Sequence, residues 1–299
     1  MATQTTGQES ETTEEDQGEN GGRSYRFGSE TNWPATIFIA FCSLSVLVPL
    51  YFTVVTAFKT PDQLGGTGFG LPNGLEWGNF STAWELTNFP RALANSAIVT
   101  AGAVVLTLLT NSMVAYAIAR HMDRSRIFTV LYYYFVAALF VPFPIIMLPV
   151  VRQTALLGLD NLAGLVILYT VYGLSLNIFI YVAFVRSIPI ELEEAARTDG
   201  ASAWTIFWKI VFPLLAPMNA TVGILTAMWA WNDFMLPLVI LSEPSQQTLP
   251  LVQYVFQGQF NTNYAVAFAS YLMALLPMVI VYILAQRWII SGVMRGSAK

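Results

Sequence analysis

An all-α membrane protein with six transmembrane helices is the fold class that this sequence predicts. Hydrophobic residues make up 55% of the 299 residues and charged residues only 11%, whereas a soluble domain carries about 25% charged residues. The apolar residues gather in six long runs, and a helix of about 20 such residues crosses the roughly 30 Å hydrocarbon layer of a bilayer. Composition and run length therefore place the chain in a membrane as a multi-pass protein.

The chain begins with an acidic stretch, residues 1–32, whose composition differs from everything after it. Thr, Gln, Glu and Gly dominate the stretch, and its acidic residues outnumber its two arginines, Arg23 and Arg26. Such a segment cannot bury enough apolar surface to fold by itself, so we expect a disordered cytoplasmic tail. The stretch also lacks the basic-then-apolar order of a signal peptide.

Six apolar windows follow the tail. The predicted spans are Trp33–Phe58, Leu93–Ala119, Ile127–Val151, Leu162–Val185, Met218–Ser242 and Tyr264–Gln286. Prolines occur inside several of them, which transmembrane helices tolerate because neighbouring helices satisfy the freed carbonyls. Of the six windows, only the fifth contains a charged side chain, Asp233.

The arginines and lysines predict the orientation of these spans, because they accumulate in cytoplasmic loops. With the N-terminus inside, most of them fall in inner segments, and the outer loops hold only Lys59, Arg91 and Arg152. The sequence therefore predicts both termini in the cytoplasm of a cell whose plasma membrane the chain spans. In this topology Glu191–Pro217 is cytoplasmic, whereas Thr60–Ala92 and Glu243–Asn263 are the large outer segments.

Charged residues are concentrated in the cytoplasmic segment that reads ELEEAARTDGASAWTIFWKIVFPLLAP. Glutamates at its start favour a helix N-terminus, where the helix dipole is positive. Glu193 and Arg197 have the favourable i, i+4 order for an ion pair. Asp199-Gly200 predicts that the helix stops there, because glycine adopts the left-handed conformation that closes helices.

A second amphipathic stretch, Ala201–Val211, follows the glycine. Trp204, Phe207, Trp208 and Val211 lie at helical spacing and predict one apolar face. From the residues alone, two interpretations of the whole segment stay open. It is either an interfacial helix pair lying on lipid headgroups or a docking element whose small residues let another backbone approach closely.

Residues in this segment resemble the loop that characterises permeases of binding-protein-dependent ABC importers. The matching residues are Glu194-Ala195-Ala196, Asp199-Gly200-Ala201, Ile210 and Pro213. In that family the loop forms the coupling helices, which sit in a cleft of the ATP-hydrolysing subunit. The resemblance therefore implies a type I ABC importer transmembrane domain and assigns ATPase coupling to Glu191, Glu194, Ala195, Ala196, Asp199, Gly200 and Ala201.

Further motifs resemble the carbohydrate branch of this family over residues 33–299. They are Asn95-Ser96, Ala115-Tyr116-Ala117 with Arg120, Trp231-Asn232-Asp233-Phe234 with Pro237 and Leu238, Thr248-Leu249-Pro250, and Gln286-Arg287-Trp288 with Gly292. The expected organisation is a tail at 1–32, the first span with its outer loop at 33–92, a permease core at 93–290 and a cytoplasmic C-terminus at 291–299.

The resemblance implies a non-catalytic permease subunit of an ATP-driven importer for a sugar or oligosaccharide. Its implied partners are a second permease subunit, ABC ATPase subunits, an extracytoplasmic solute-binding protein and the lipid bilayer. The sequence contains no G-x-x-x-x-G-K-[ST] motif, so the chain itself is not expected to bind ATP. With one Cys and one His, no metal or other cofactor is expected, and no basic, aromatic-rich patch suggests nucleic acid.

Three alternatives stay open at the level of the sequence. The first is the same permease architecture serving another solute, such as a polyol or an amino acid. The second is a secondary transporter, which predicts paired charges at the membrane midplane and an internal repeat. The third is a membrane scaffold that moves no solute.

Asp233 is the candidate for a translocation residue, because an ionisable group within a span is costly and is a functional-site hypothesis by default. Asn232 and Trp229 lie close to it in sequence, and amides with aromatic faces suit contact with a sugar. We therefore predict that Trp229, Asn232 and Asp233 line the translocation pathway. The alternative is that Asp233 braces neighbouring helices inside the bundle.

Overall fold

The computed structural model of the protein describes residues 33–65, 69–257 and 263–297, and in the last helix it describes side chains as far as residue 283. The predicted tail at 1–32 and the side chains of the C-terminal motif at 286–292 lie outside these described parts. The α-helices are α1 Trp33–Ala57, α2 Gly78–Leu86, α3 Phe89–His121, α4 Arg126–Ala138, α5 Phe143–Leu156, α6 Leu162–Val185, α7 Glu191–Thr198, α8 Ala203–Ile206, α9 Phe212–Leu214, α10 Ala216–Asn232, α11 Met235–Ile240, α12 Leu249–Val252 and α13 Tyr264–Ser297. Short 3-10 helices occupy Pro61–Gly65, Pro244–Gln246 and Gln253–Gln257, and a π-helical turn occupies Phe207–Val211.

The described residues divide into two units, one up to residue 47 and the other from residue 48 onward. The described part of the first unit, residues 33–47, is continuous helix, and all helices from α2 onward belong to the second. Among the residues that the structure describes, four helices are long and apolar enough to cross a membrane, namely α1, α3, α6 and α13. Two bent helix pairs raise the number to six if each pair is one span. The predicted all-α membrane fold is confirmed.

The third predicted span is not one continuous helix. Its two halves, α4 and α5, meet at an angle of 106°. Pro142 and Pro144 cannot donate backbone hydrogen bonds to the carbonyls four residues earlier, so the helical ladder is interrupted twice within three residues. Pro144 then suits the first turn of α5, where an N–H group is not needed.

The prediction of a continuous helix over Met218–Ser242 is also wrong. Helix α10 ends at Asn232, and the backbone of Asp233 is extended with ψ 130°. Oδ1 of Asp233 accepts a hydrogen bond from the Met235 backbone N–H at 3.0 Å, and such local side-chain bonds compete with helix continuation. The chain also bends where α10 begins, because the helical stretch Ala203–Leu214 meets Ala216–Asn232 at an angle of 76°.

Small residues allow α3, α6 and α10 to pack closely in the centre of the second unit. Ala103 and Ala115 of α3 are fully buried, and a Cβ added at Gly102 would lie 3.0 Å from Val166 of α6. Such residues are typical of helix contacts within membranes. Polar side chains add links, for example the Tyr181 hydroxyl, which donates a 2.7 Å hydrogen bond to Asn219 Oδ1.

The outer segment between α11 and α13 is fastened to the start of α3. Asn95 Nδ2 donates hydrogen bonds to the carbonyls of Ser245 and Gln247 at 3.0 and 2.9 Å. The Leu249 backbone N–H donates to Ser96 Oγ at 2.8 Å. The Asn95-Ser96 motif therefore positions this segment by satisfying backbone groups that a non-helical stretch would leave unpaired.

Candidate functional site

Helix α7 ends at the predicted stop. It runs from Glu191 to Thr198, and Gly200 has φ +84°. The Gly200 N–H donates to the Arg197 carbonyl at 3.0 Å, and the Ala201 N–H donates to the Ala196 carbonyl at 2.9 Å. This pair of bonds is a Schellman motif, which satisfies the last carbonyls of the helix and turns the chain away.

Glu193 is the residue that fastens α7 to the bundle. Its side chain is 0% exposed. Arg120 Nε donates to its Oε1 at 2.7 Å, and the Tyr116 hydroxyl donates to its Oε2 at 2.7 Å. Arg120 Nη2 also donates to the Ile188 carbonyl at 3.0 Å. The inner end of α3 therefore holds α7 through charge-assisted hydrogen bonds, which are the stronger kind.

Arg197 contributes less to this anchor than its sequence spacing suggests. Its Nη2 lies 3.8 Å from Glu193 Oε2, and its side chain is half exposed. At this distance, and with the Arg197 guanidinium in contact with solvent, the pair contributes little. The dominant partner is Arg120, whose side chain is only 10% exposed.

The predicted coupling residues surround this buried anchor. Glu193 points into the protein, whereas the residues on either side of it face outward. Glu191, Glu194, Ala195, Asp199 and Gly200 are exposed, and Ala196 and Ala201 are half-buried. Glu193 therefore holds the helix on the bundle, whereas Glu191 and Glu194 remain on its surface.

The stretch after Gly200 packs differently from the predicted apolar face. Ile206, Phe207 and Val211 are buried, whereas Trp204 is 62% exposed. The π-helical turn at Phe207–Val211 places an extra residue in one turn, which shifts the register that a pure 3.6-residue period gives. Two members of the predicted face, Phe207 and Val211, are therefore in the core, but Trp204 is not.

Arg120 and Tyr116 belong to one of the motifs in the sequence, but no role for either was predictable from that motif. Their i, i+4 spacing puts them on one face of α3 at the end that the charge bias places inside. That signal indicates a polar anchor near the cytoplasmic loop. It does not reveal which of three nearby glutamates is the partner, because the choice depends on how α7 lies across α3.

The three predicted pathway residues fall into two groups. The Tyr169 hydroxyl donates to Asp233 Oδ2 at 3.0 Å, and the Trp229 ring meets the Tyr169 ring edge-on at 5.1 Å. With Oδ1 bonded to the Met235 N–H, both oxygens of Asp233 are engaged. This arrangement supports the bracing alternative for Asp233.

Asn232 belongs to the second group. Its side chain is exposed, and its Nδ2 donates to the Met228 carbonyl at 2.7 Å. It lines a cavity together with Trp231, and neither Trp229 nor Asp233 lines that cavity.

Tyr169→Phe and Asp233→Asn are expected to destabilise the protein by about 1–3 kcal/mol each, because each leaves a polar group of this partly buried bond unpaired. Thermal unfolding of the purified protein measures the loss, with Tyr133→Phe, an exposed tyrosine, as the matched control. We expect the half-saturation concentration for solute uptake to stay unchanged. A changed half-saturation concentration with unchanged stability would instead place Asp233 on the translocation pathway.

Comparison with known proteins assigns this architecture. Residues 111–295 match the family described as binding-protein-dependent transport system inner membrane component. The chain belongs to this family. As an inner membrane component with several apolar helices, it is a multi-pass protein of the plasma membrane.

Several members of the family resemble the chain over most of its length. It is 39% identical to the multiple sugar-binding transport system permease protein MsmG of Streptococcus mutans, over 85% of this chain and 92% of that protein. It is 34% identical to the probable starch degradation products transport system permease protein AmyC of Thermoanaerobacterium thermosulfurigenes, over 86% and 93%. It is 31% identical to the melibiose/raffinose/stachyose import permease protein MelC of Bacillus subtilis, over 88% and 95%.

A solved structure shares the fold. It is the crystal structure of a bacterial ABC transporter involved in the import of the acidic polysaccharide alginate, and it matches with a TM-score of 0.75 at 24% identity. The match covers 85% of this chain and 95% of that one. The second unit is thus a type I importer transmembrane domain, as the resemblance in the sequence implied.

Proposed function

We propose that this permease imports a sugar or oligosaccharide as one subunit of an ATP-driven transporter. The similar permeases from Streptococcus mutans and Bacillus subtilis carry sugar transport in their names, which supports this solute class. In the proposed assembly the chain pairs with a second permease and two ATPase subunits. A solute-binding protein delivers solute from outside the cell.

The observation that carries the coupling mechanism is the buried Glu193–Arg120 pair. We propose that closure of the ATPase subunits moves α7 through its exposed residues. The Glu193 anchor passes this displacement to α3, and α3 packs tightly on α6 and α10. Because packed helices move as rigid bodies, the bundle then rocks between inward-facing and outward-facing states.

Each proposed coupling residue has a physical task in this scheme. Glu191 and Glu194 are exposed charges that can pair with basic side chains of an ATPase. Ala195, Ala196 and Ala201 keep the helix surface narrow enough to enter a cleft. Asp199 and Gly200 end α7 and set the angle at which the chain continues.

The outer segments are the proposed contact for the binding protein. One of the structures that share this fold is an alginate transporter in complex with an alginate pentasaccharide-bound periplasmic protein. In this chain the segment Glu243–Val252 is held on α3 by Asn95 and Ser96. A fastened outer segment offers such a partner a preformed surface.

Deletion of this gene alone should abolish ATP-dependent uptake of the transported saccharide and leave the other subunits in the membrane. The measurement compares uptake of labelled neutral and acidic oligosaccharides in the parent, the deletion strain and a complemented strain. Unchanged uptake of every saccharide in the deletion strain, with the other subunits present, would refute the proposal.

A further inference from the structure

A cleft at the α11-facing end of α10 is not used by the coupling mechanism. One cavity there has a volume of about 230 Å³ and is lined by Trp231, Asn232, Gln253 and Tyr271 together with apolar residues. A second cavity of about 280 Å³ is lined by Phe234 and Tyr254 and shares Gln253 and Tyr271 with the first. The two cavities therefore adjoin where α10, the segment after α12, and α13 meet.

The cleft combines aromatic rings with side-chain amides, and it has unused hydrogen-bonding capacity. Asn232 uses Nδ2 for the Met228 carbonyl, and Gln253 Nε2 makes one long bond of 3.5 Å to the Ser270 carbonyl. Within the described residues, no hydrogen bond engages the amide oxygens of Asn232 and Gln253 or the Tyr271 hydroxyl. An amide oxygen has two lone pairs, so these groups are available to a ligand.

Charge is missing from the lining of both cavities as far as the structure describes it. Asp233 lies between Asn232 and Phe234 in sequence, but its carboxylate is committed to Tyr169 and the Met235 N–H. A ligand carboxylate that entered the cleft would lose part of its hydration without gaining a counter-charge, which is unfavourable. Hydroxyl groups, in contrast, can exchange water for the amides and the tyrosine.

We infer that this cleft is a subsite for an uncharged sugar ring, so that this subunit itself contacts the solute and disfavours uronic acids. Aromatic faces of Trp231 and Tyr271 cover the apolar side of the ring, and Asn232 and Gln253 bond its hydroxyls. Each cavity is smaller than about 300 Å³, the lower end for ligand pockets, so each holds only part of an oligosaccharide. The inference rests on the proposed import of sugars, and it adds the charge class of the solute.

The test uses the complete importer in proteoliposomes with excess binding protein. Uptake of labelled maltotriose, raffinose and xylotriose is compared with uptake of trigalacturonate. For the neutral saccharide that wild type transports, Gln253→Leu should lower maximal uptake about tenfold, as expected for lost hydrogen bonds. Stimulation of ATP hydrolysis by loaded binding protein should persist, because docking and coupling do not use this residue.

Matched variants separate a subsite from a structural role. Gln153→Leu, at an exposed glutamine of α5, should transport normally, and Tyr271→Phe should retain more uptake than Tyr271→Ala because it keeps the ring. Normal uptake by Gln253→Leu, or a parallel fall in uptake and ATP hydrolysis, overturns the subsite. If trigalacturonate is the only saccharide taken up, the inferred preference for uncharged sugars is overturned but sugar import is not. If none of the four saccharides is taken up, the proposed function is overturned as well.

Discussion

Glu193→Ala is expected to destabilise the subunit by about 3–5 kcal/mol and to abolish uptake. The substitution leaves the Arg120 guanidinium buried without its counter-charge, and losses of this size follow when one partner of a buried ion pair is removed. It also removes the acceptor of the Tyr116 hydroxyl. Thermal unfolding of the purified importer and uptake in proteoliposomes measure the two effects.

The matched control is Glu191→Ala, which removes an acid of the same helix that is exposed. Its effect on stability should stay within about 0.5 kcal/mol, as for most surface substitutions. Equal losses in Glu191→Ala and Glu193→Ala would show that burial of Glu193 is not the cause.

The double variant Glu193→Met/Arg120→Met separates folding from coupling. Replacing a buried ion pair by apolar residues of similar size is often neutral for stability, so the double variant should unfold at a higher temperature than Glu193→Ala, although the Tyr116 hydroxyl and the Ile188 carbonyl lose their partners. We expect its uptake per ATP hydrolysed to remain low, because apolar contacts do not fix the orientation of α7 on α3. Full uptake by the double variant would limit the pair to a role in stability.

Local signals predicted the parts of this structure that local chemistry determines. The stop at Asp199-Gly200 was predictable because a left-handed residue closing a helix needs only glycine at that position. Helices α1, α3, α6 and α13 were predictable from length and hydropathy, since a bilayer imposes both. The break between α4 and α5 also has a local cause, because two prolines two residues apart together interrupt the helical hydrogen bonds.

Tertiary contacts decided the features that the sequence did not reveal. Glu193 carries the same charge as Glu191 and Glu194, and only the approach of α3 distinguishes it from them. Gln253 and Tyr271 come from separate segments and meet Asn232 only when α13 packs beside α10. The hydrogen bond between Asp233 and Tyr169 was not predictable either, because Tyr169 lies on another helix.

The anchor and the turn act at opposite ends of α7 within the proposed mechanism. Glu193 fixes the helix to the bundle near its first turn, and Gly200 determines where the chain goes after its last turn. The proposed mechanism requires both the Glu193 anchor and the Gly200 turn, so loss of either should break coupling while the spans stay folded. Loss of the turn can be tested by substitutions at Gly200 that change only the backbone conformation.

Gly200→Pro is expected to abolish uptake while the protein still inserts into the membrane. Proline fixes φ near −65°, whereas Gly200 has φ +84°, and proline also removes the N–H that bonds the Arg197 carbonyl. Gly200→Asn is the matched control, because asparagine visits the left-handed region readily and keeps the N–H. Within this subunit, an added Cβ at Gly200 meets nothing within 4 Å among the described residues, so the asparagine variant should fold normally.

The two Gly200 variants are compared by immunoblots of membranes for insertion, by copurification of the ATPase for assembly, and by solute uptake for transport. Normal uptake by Gly200→Pro would refute a coupling role for the turn, whereas an asparagine variant that folds but loses the ATPase would show that the partner packs against this position.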